Sequence, residues 1–332
     1  MGKLLSVVVS VYNEEQVLPE FYRTVRPILD GLSWDYELLF VDDGSQDQSR
    51  RMLDRFAAEN PRVSVLHFSR NFGHESAMIA GIDYSRGDGV VCMDADLQHP
   101  PELLPQIVGY LEEGYGVINM VRTKNLDANI FKRITSAAFY KVINAMSQVK
   151  FEPNASDFFA ISAQAADVLR TEYRERVRFL RGFVQCIGFP KTVIRYEAKK
   201  RAGGASKYSF GKLMKLSVNS LLCFSDMPLK LGVYSGLIVA LIGIIIMIET
   251  IVDKMVNGAP SGYATIVVLL CFMFSLVLII IGIIGEYISV LFTEIKNRPI
   301  YTVEAAVNRE EISGRPAEEK SPSAAPPKEP QA

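Results

Sequence analysis

Asp94 and Asp96 stand one residue apart at the end of the apolar run Val90-Val91-Cys92-Met93, shortly before Pro100-Pro101. In an extended backbone, side chains two residues apart face the same side, so both carboxylates are expected to address one ligand. The run itself reads as a strand buried on both faces, as in a parallel sheet. Ligands of open α/β sheets sit beyond the carboxyl ends of the strands, where this pair would lie. Mg2+, or Mn2+ with the same taste for oxygen, takes one or two carboxylates plus substrate phosphates more readily than an all-protein cage. The pair is therefore a candidate metal site, with the cation bridging to a nucleotide diphosphate. Asp-x-Asp ahead of Pro-Pro also occurs simply as a helix start, so the other strand ends have to decide.

Those strands are legible along the first half of the chain. The apolar run 4–11 ends in Tyr12-Asn13-Glu14-Glu15, and 36–41 ends in Asp42-Asp43-Gly44-Ser45. The run 63–68 leads into Ser69-Arg70-Asn71-Phe72-Gly73, and 116–121 ends at Arg122. Between the first two, Val17, Leu18, Phe21, Val25, Ile28, Leu29 and Leu32 fall at helical spacing. Ser45 and Gln48 are placed for a capping box ahead of a helix carrying Met52, Leu53 and Phe56. Strands alternating with helices imply an α/β fold, a right-handed and mostly parallel sheet covered on both faces. Tyr12 to Glu14, Asp42-Asp43, Asn71, Asp94, Asp96 and Arg122 then converge on one crevice. Turns are polar anyway, but five successive strand ends bearing acids, an amide and an arginine exceed what turns require. Neither a G-x-G-x-x-G after the first strand nor a Walker lysine is present, so dinucleotide and P-loop motifs do not explain the pattern.

Composition narrows the function classes. Basic and acidic residues balance to a net charge of −1, so no global field points to nucleic acid. Cys92, Cys186, Cys223 and Cys271 are far apart and fit structural roles in a reducing compartment. His67, His74 and His99 form no ligand pattern and are read as ordinary residues. The N-terminal Lys3 and its apolar run are too short for a signal peptide and meet Asn13-Glu14-Glu15 instead of a cleavage site. Met1-Gly2 to Ser6 matches a myristoylation pattern, which a core strand from Leu4 argues against.

The second half changes character. An amphipathic helix is expected over 131–147, and Asn154-Ala155-Ser156-Asp157-Phe158-Phe159 reads as a polar loop entering a short strand. The densest basic stretch, 195–215, holds Lys199, Lys200, Arg201, Lys207, Lys212 and Lys215 around Gly203-Gly204, as a loop over an anion or a lipid surface would. Residues 209–224 read as an amphipathic interfacial helix. The uncharged runs 231–248 and 263–285 each match the ~20 residues that span a bilayer. Lys212, Lys215, Lys230, Lys296 and Arg298 flank the outer ends of this pair, against Lys254 alone in the connection. The positive-inside rule then puts both termini in the cytoplasm. Beyond about 308 the Pro-, Glu- and Lys-rich tail is expected to be disordered. The resulting division is 1–208 catalytic, 209–228 interfacial, 229–292 a transmembrane hairpin, and 293–332 juxtamembrane segment and tail.

The set Val11-Tyr12-Asn13-Glu14-Glu15, Val41-Asp42-Asp43-Gly44-Ser45, Ser69-Arg70-Asn71-Phe72-Gly73, Asp94-Ala95-Asp96-Leu97-Gln98 and Ser206-Lys207-Tyr208 resembles the polyprenyl-phosphate glycosyltransferases of glycosyltransferase family 2. The likeness covers roughly residues 4 to 300 and includes both dolichol-phosphate mannose synthases and bacterial undecaprenyl-phosphate glucosyltransferases. It implies a GT-A fold with a divalent cation on Asp94 and Asp96. It implies Tyr12, Glu14, Asp42 and Gln98 around the nucleotide sugar, and Arg122, Arg201, Ser206 and Lys207 on phosphates. Asp157 matches the acidic residue often assigned to catalysis, and Asp96 is the other catalytic candidate. The family's usual Gly-Asp-Phe-Arg reads Ser156-Asp157-Phe158-Phe159 here, so Arg201 or Lys207 is expected to replace the missing arginine.

The function expected from this resemblance is inverting transfer of a hexose to polyprenyl phosphate at the cytoplasmic face of the inner membrane. Glucose from UDP-glucose is the first candidate; mannose, N-acetylglucosamine and aminoarabinose are alternatives, and homo-oligomers are compatible. A processive synthase would carry Gln-x-x-Arg-Trp, whereas the single tryptophan is Trp34. A non-enzymatic nucleotide-binding membrane scaffold would have no need of Asp94, Asp96 and Asp157 together.

Overall fold

The computed structural model describes residues 2–123, 144, 152, 155–176, 178–197, 227–257 and 262–309. The expected helix over 131–147 (Asn144 aside), the loop with Arg201, Ser206 and Lys207, the interfacial helix over 209–224 and the tail past 309 lie outside these residues.

Four strands form the parallel centre: β1 (Leu4–Val11), β2 (Asp35–Asp42), β3 (Val63–Phe68) and β4 (Gly89–Asp94). They are linked by α1 (Leu18–Asp30), α2 (Ser49–Glu59) and α3 (His74–Tyr84). A 3-10 turn and α4 (Leu104–Glu112) lead to β5 (Val117–Arg122). The chain continues through β6 (Ala155–Ser162), α5 (Ala163–Thr171), α6 (Leu180–Cys186) and β7 (Lys191–Tyr196). Last come α7 (Met227–Asn257), α8 (Tyr263–Ile295) and β8 (Val303–Val307). The eight strands make one sheet in the order β7-β5-β6-β4-β1-β2-β3-β8.

Strand β1 alternates between two cores, as a centrally buried strand must. Leu5, Val7, Val9 and Val11 pack with α1, α2 and α4, while Val8 faces α3, α5 and α6 on the other side. Gly81 makes the second packing close: a Cβ there would lie 2.0 Å from Val8 Cγ1. Since β2 and β4 flank β1 on opposite sides, the connection reverses at β1. A crevice opens at such a switch point beyond the strand ends.

Three sequence readings need correction. Residues 155–162 are a full strand, inserted antiparallel between β4 and β5, and Asp157 sits on it instead of in a loop. The capping box is absent: α2 begins at Ser49, Gln48 makes no side-chain cap, and Ser45 Oγ accepts from Asn13 N at 3.0 Å. Ser45 thus ties the β1 turn to the β2 turn. Lastly, 303–307 is a strand antiparallel to β3, so the sheet of the catalytic region is completed from beyond α8. The segment is firmly seated. Tyr301 stacks on Phe68 and donates to Asp83 at 2.7 Å, Asn308 donates to Ala57 O and Val63 O, and Arg309 pairs with the buried Glu37 at 2.6 Å.

Helices α7 and α8 expose large apolar side chains along their length, among them Leu237, Leu241, Phe274 and Leu278. Among the described residues one stretch, Phe272–Ile295, is long and apolar enough to cross a membrane, and α7 contains the shorter apolar stretch Gly232–Ile246.

Candidate active site

Parallel strands β1, β2, β4 and β5 all deliver their carboxyl ends to the same edge of the sheet. Antiparallel β6 brings its amino end there instead. Its register with β4 pairs Cys92 with Phe159, and carried two residues further it sets Asp157 opposite Asp94. Two acids far apart in sequence thereby become cross-strand neighbours.

His74 stands between them. It is the first residue of α3, with Nδ1 2.8 Å from Ser10 Oγ and Nε2 3.5 Å from Asp94 and 3.8 Å from Asp157. Burial opposes its charged form, yet Asp94, Asp157 and Glu75 together raise its pKa above the ordinary histidine value. On the far side of Asp157, Arg181 of α6 donates to Oδ2 at 3.1 Å. Burial would raise the Asp157 pKa, but Arg181 and His74 outweigh it and hold the carboxyl below its usual range. Glu75 shows the opposite balance, because burial and the neighbouring Asp157 push it to about 7.

A second group surrounds His99, which is fully buried and stacked on Phe158 at 5.1 Å. Asp94 N donates to its Nδ1 at 3.0 Å. His99 Nε2 lies 3.1 Å from Arg122 Nη2. Arg122 Nε donates to Tyr196 Oη at 3.1 Å. Burial first, and then Arg122, lower the His99 pKa.

The β2 end is tightly braced. Asp42 is 1% exposed, with Oδ2 2.8 Å from His67 Nδ1 and Oδ1 accepting from Ser45 N at 2.9 Å. His67 Nε2 reaches Asp54 at 2.9 Å. Asp43 accepts from Phe72 N at 2.6 Å and Gly73 N at 2.9 Å, joining the β2 turn to the loop before α3. Gly44 permits this approach: its φ is +70°, and a Cβ would meet Arg70 backbone carbon at 2.6 Å.

Of the expected residues, Tyr12 and Glu14 follow β1 and are partly exposed, with Glu14 N accepted by Ser49 Oγ at 2.9 Å. Asp94 is 27% exposed on its side chain, whereas Asp96 is 6% exposed and its Oδ1 accepts from Gln98 N at 3.1 Å. The strand stops at Asp94, and Asp96 lies in a turn before Leu97 at φ +60°. Strand alternation therefore does not relate the two carboxylates; the turn does. Arg201, Ser206 and Lys207 lie outside the described residues. Among the described residues the guanidinium at Asp157 is that of Arg181, and Phe159 is buried among apolar residues on the α3 face. Sequence reasoning missed Arg181, His74, His99 and His67. Only His74 carried a signal, its position directly after Ser69-Arg70-Asn71-Phe72-Gly73.

Residues 6–169 match the family model described as Glycosyl transferase family 2. An uncharacterized glycosyltransferase of Bacillus subtilis is 38% identical over 300 residues, covering 90% of this chain and 93% of that one. A prophage-derived bactoprenol glucosyl transferase of Shigella flexneri is 35% identical, with 90% and 97% covered. This chain belongs to glycosyltransferase family 2. Among solved structures, glucosyl-3-phosphoglycerate synthase from Mycobacterium tuberculosis superposes with a TM-score of 0.45 at 20% identity, covering 66% of this chain and 79% of that one.

As a family 2 glycosyltransferase the chain calls for a divalent cation, and its residues fit one. Asp94 and Asp96 offer hard carboxylate oxygens, and the described residues contain no cluster of three or more His, Cys, Asp or Glu that would cage an ion alone. An open pair of this kind suits a cation whose remaining ligands are substrate phosphates and water.

Proposed function

We propose that this family 2 glycosyltransferase moves glucose from UDP-glucose to polyprenyl phosphate, with inversion, at the cytoplasmic face of the membrane. The observation that carries the reading is Asp157 set against Asp94 by antiparallel β6 and flanked by Arg181 and His74. Relatives named bactoprenol glucosyl transferase, matched over nearly their whole length, support glucose and a polyprenyl acceptor.

In this reading Tyr12 and Glu14 line the nucleoside pocket. Asp42 holds its floor from behind through Ser45, since both Asp42 oxygens are already engaged. Asp94 and Asp96 would hold Mg2+ or Mn2+, which stabilises the negative charge developing on the leaving diphosphate. Gln98 and Arg122 stand at the β4 and β5 ends, where the diphosphate and sugar would extend, and Tyr196 keeps Arg122 aimed. The nucleophile is the acceptor phosphate, whose second pKa near ~6 leaves it largely dianionic at neutral pH. Asp157 therefore has little proton to remove. Its work is to hold Arg181 and His74 in a fixed array that receives the phosphate and directs it in line onto the anomeric carbon. A direct single displacement of this kind inverts the anomeric centre.

Helices α7 and α8 serve as a transmembrane hairpin, supported by their exposed apolar surfaces and the basic residues Lys230, Lys296 and Arg298 at the outer ends. Arg201, Ser206 and Lys207, which follow β7 in the sequence, are phosphate-binding residues of this reading. The test is incubation of purified protein with undecaprenyl phosphate and a panel of nucleotide sugars, followed by mass analysis of the lipid. A hexosyl lipid formed from UDP-glucose is expected. Free sugar without a lipid product would reject the acceptor, and preference for another nucleotide sugar would reject glucose.

A further inference from the structure

The segment 170–181 carries five arginines, and four of them have acidic partners. Arg170 pairs with Asp167, Arg174 with Asp83 at 2.8 Å, Arg176 with Glu294 at 3.6 Å, and Arg181 with Asp157 at 3.1 Å. Arg178 differs. Its Nη2 donates a long 3.3 Å bond to Ser76 Oγ, its Nη1 is buried with no hydrogen-bond partner, and no described carboxylate lies within ion-pair distance. A desolvated guanidinium with an unmet N–H is costly, and one beside a reaction centre calls for an anion.

The surroundings say which anion. Arg178 and Arg181 flank the first turn of α3, where Glu75 accepts from Leu180 N at 3.3 Å. Glu75 is pushed to about 7 by burial and by Asp157, so near neutrality it is a partial counter-charge at most. On the other side, Arg176 N donates to Glu294 at 2.7 Å, fastening this segment to the last turn of apolar helix α8. Along the chain Arg178 thus lies between Arg176, fastened to the end of α8, and Arg181, fastened to Asp157. On the acceptor assigned above, a phosphate arriving along α8 toward Asp157 would approach on this side.

We infer that Arg178 seats the phosphate monoester of the acceptor beside Asp157, in a subsite bounded by Ser76, Arg181 and the end of α8. This rests on the acceptor assigned above, and it adds a ligand-binding residue on the membrane side of the crevice. A planar guanidinium with two N–H edges matches phosphate oxygens in pairs. The rival chemistry is the donor's diphosphate, and the two are separable.

Full-length protein and the variants Arg178→Ala and Arg178→Lys would be compared in detergent with UDP-glucose and undecaprenyl phosphate. Arg178→Ala is expected to raise KM for the lipid phosphate at least ~10-fold while KM for UDP-glucose stays within about twofold, and Arg178→Lys to recover part of the loss. Binding of farnesyl phosphate and of UDP would be measured calorimetrically alongside. Arg178→Ala should abolish the first and spare the second, which also reports a folded protein. An unchanged lipid-phosphate KM and farnesyl phosphate affinity in Arg178→Ala would overturn the proposal, and so would a loss confined to the donor. Arg178-dependent farnesyl phosphate binding by a wild-type protein that forms no glycolipid would keep the subsite and reject the glucosyl transfer.

Discussion

Asp157 is held by Arg181 at 3.1 Å with His74 at 3.8 Å, and its chemistry follows from that. A general base contributes about 10²–10⁴-fold when a proton must leave in the transition state. A dianionic phosphate offers no such proton, so Asp157→Asn should lose activity by a similar factor at every pH from ~6.5 to ~9. Steep recovery of the variant as pH rises would instead reveal a base. Glu75 makes a prediction of opposite kind. Its folded pKa, about 7, lies above the ordinary 4.5, so between these values the unfolded chain releases a proton that the folded chain keeps. Stability therefore falls as pH rises through that window and is level on either side. Glu75→Gln removes the loss, and the melting-temperature gain of the variant should grow from pH 4.5 to about 7, with roughly 3 kcal/mol as its upper bound. A gain independent of pH would mean that Glu75 ionises normally.

Elements decide what a sequence lets one see. Strands β1 to β5 were legible because each is an apolar run ending in polar residues, and four parallel strands with helical connections leave few topologies. Asp94, Asp96 and Asp157 were legible as motifs. The partners of Asp157 were not, because they come from the first residue of α3 and from α6, and only the fold brings these together. Strand β6 was masked by the polar start Asn154-Ala155-Ser156-Asp157, which resembles a turn although it pairs on both sides. Strand β8 was masked by its place after an apolar helix, where a tail is the usual expectation. That strand is tested through Arg309, whose removal leaves the buried Glu37 with Ser6 Oγ at 2.5 Å and Arg86 N at 2.8 Å but, among the described residues, no cation. Arg309→Ala should cost about 3–5 kcal/mol in chemical denaturation, and adding Glu37→Gln should recover much of it. A cost under about 0.5 kcal/mol would show that the strap does not hold the folded domain.

At the scale of the whole molecule, the sheet is closed by a strand that the chain adds only after α8. The catalytic crevice and the end of the apolar helices are thus tied at Arg176–Glu294 and again at β8. In the proposed reading, this double attachment would hold the crevice at a set position relative to the apolar helices. The charge bias predicts the sidedness. A cysteine placed near position 257 should react with an impermeant reagent added outside intact cells, and one placed in the C-terminal tail should not. The reverse pattern would put the crevice on the wrong side for a cytoplasmic nucleotide sugar.

Transfer of glucose to a lipid phosphate by one direct displacement is tested most directly by the bond that it makes. Undecaprenyl phosphate and UDP-glucose would be incubated with the full-length protein and the extracted lipid examined by phosphorus and carbon NMR. Glucose joined to phosphate through an inverted anomeric carbon is the predicted result. A retained anomeric centre, or a lipid phosphate left unmodified while UDP-glucose is consumed, would contradict it.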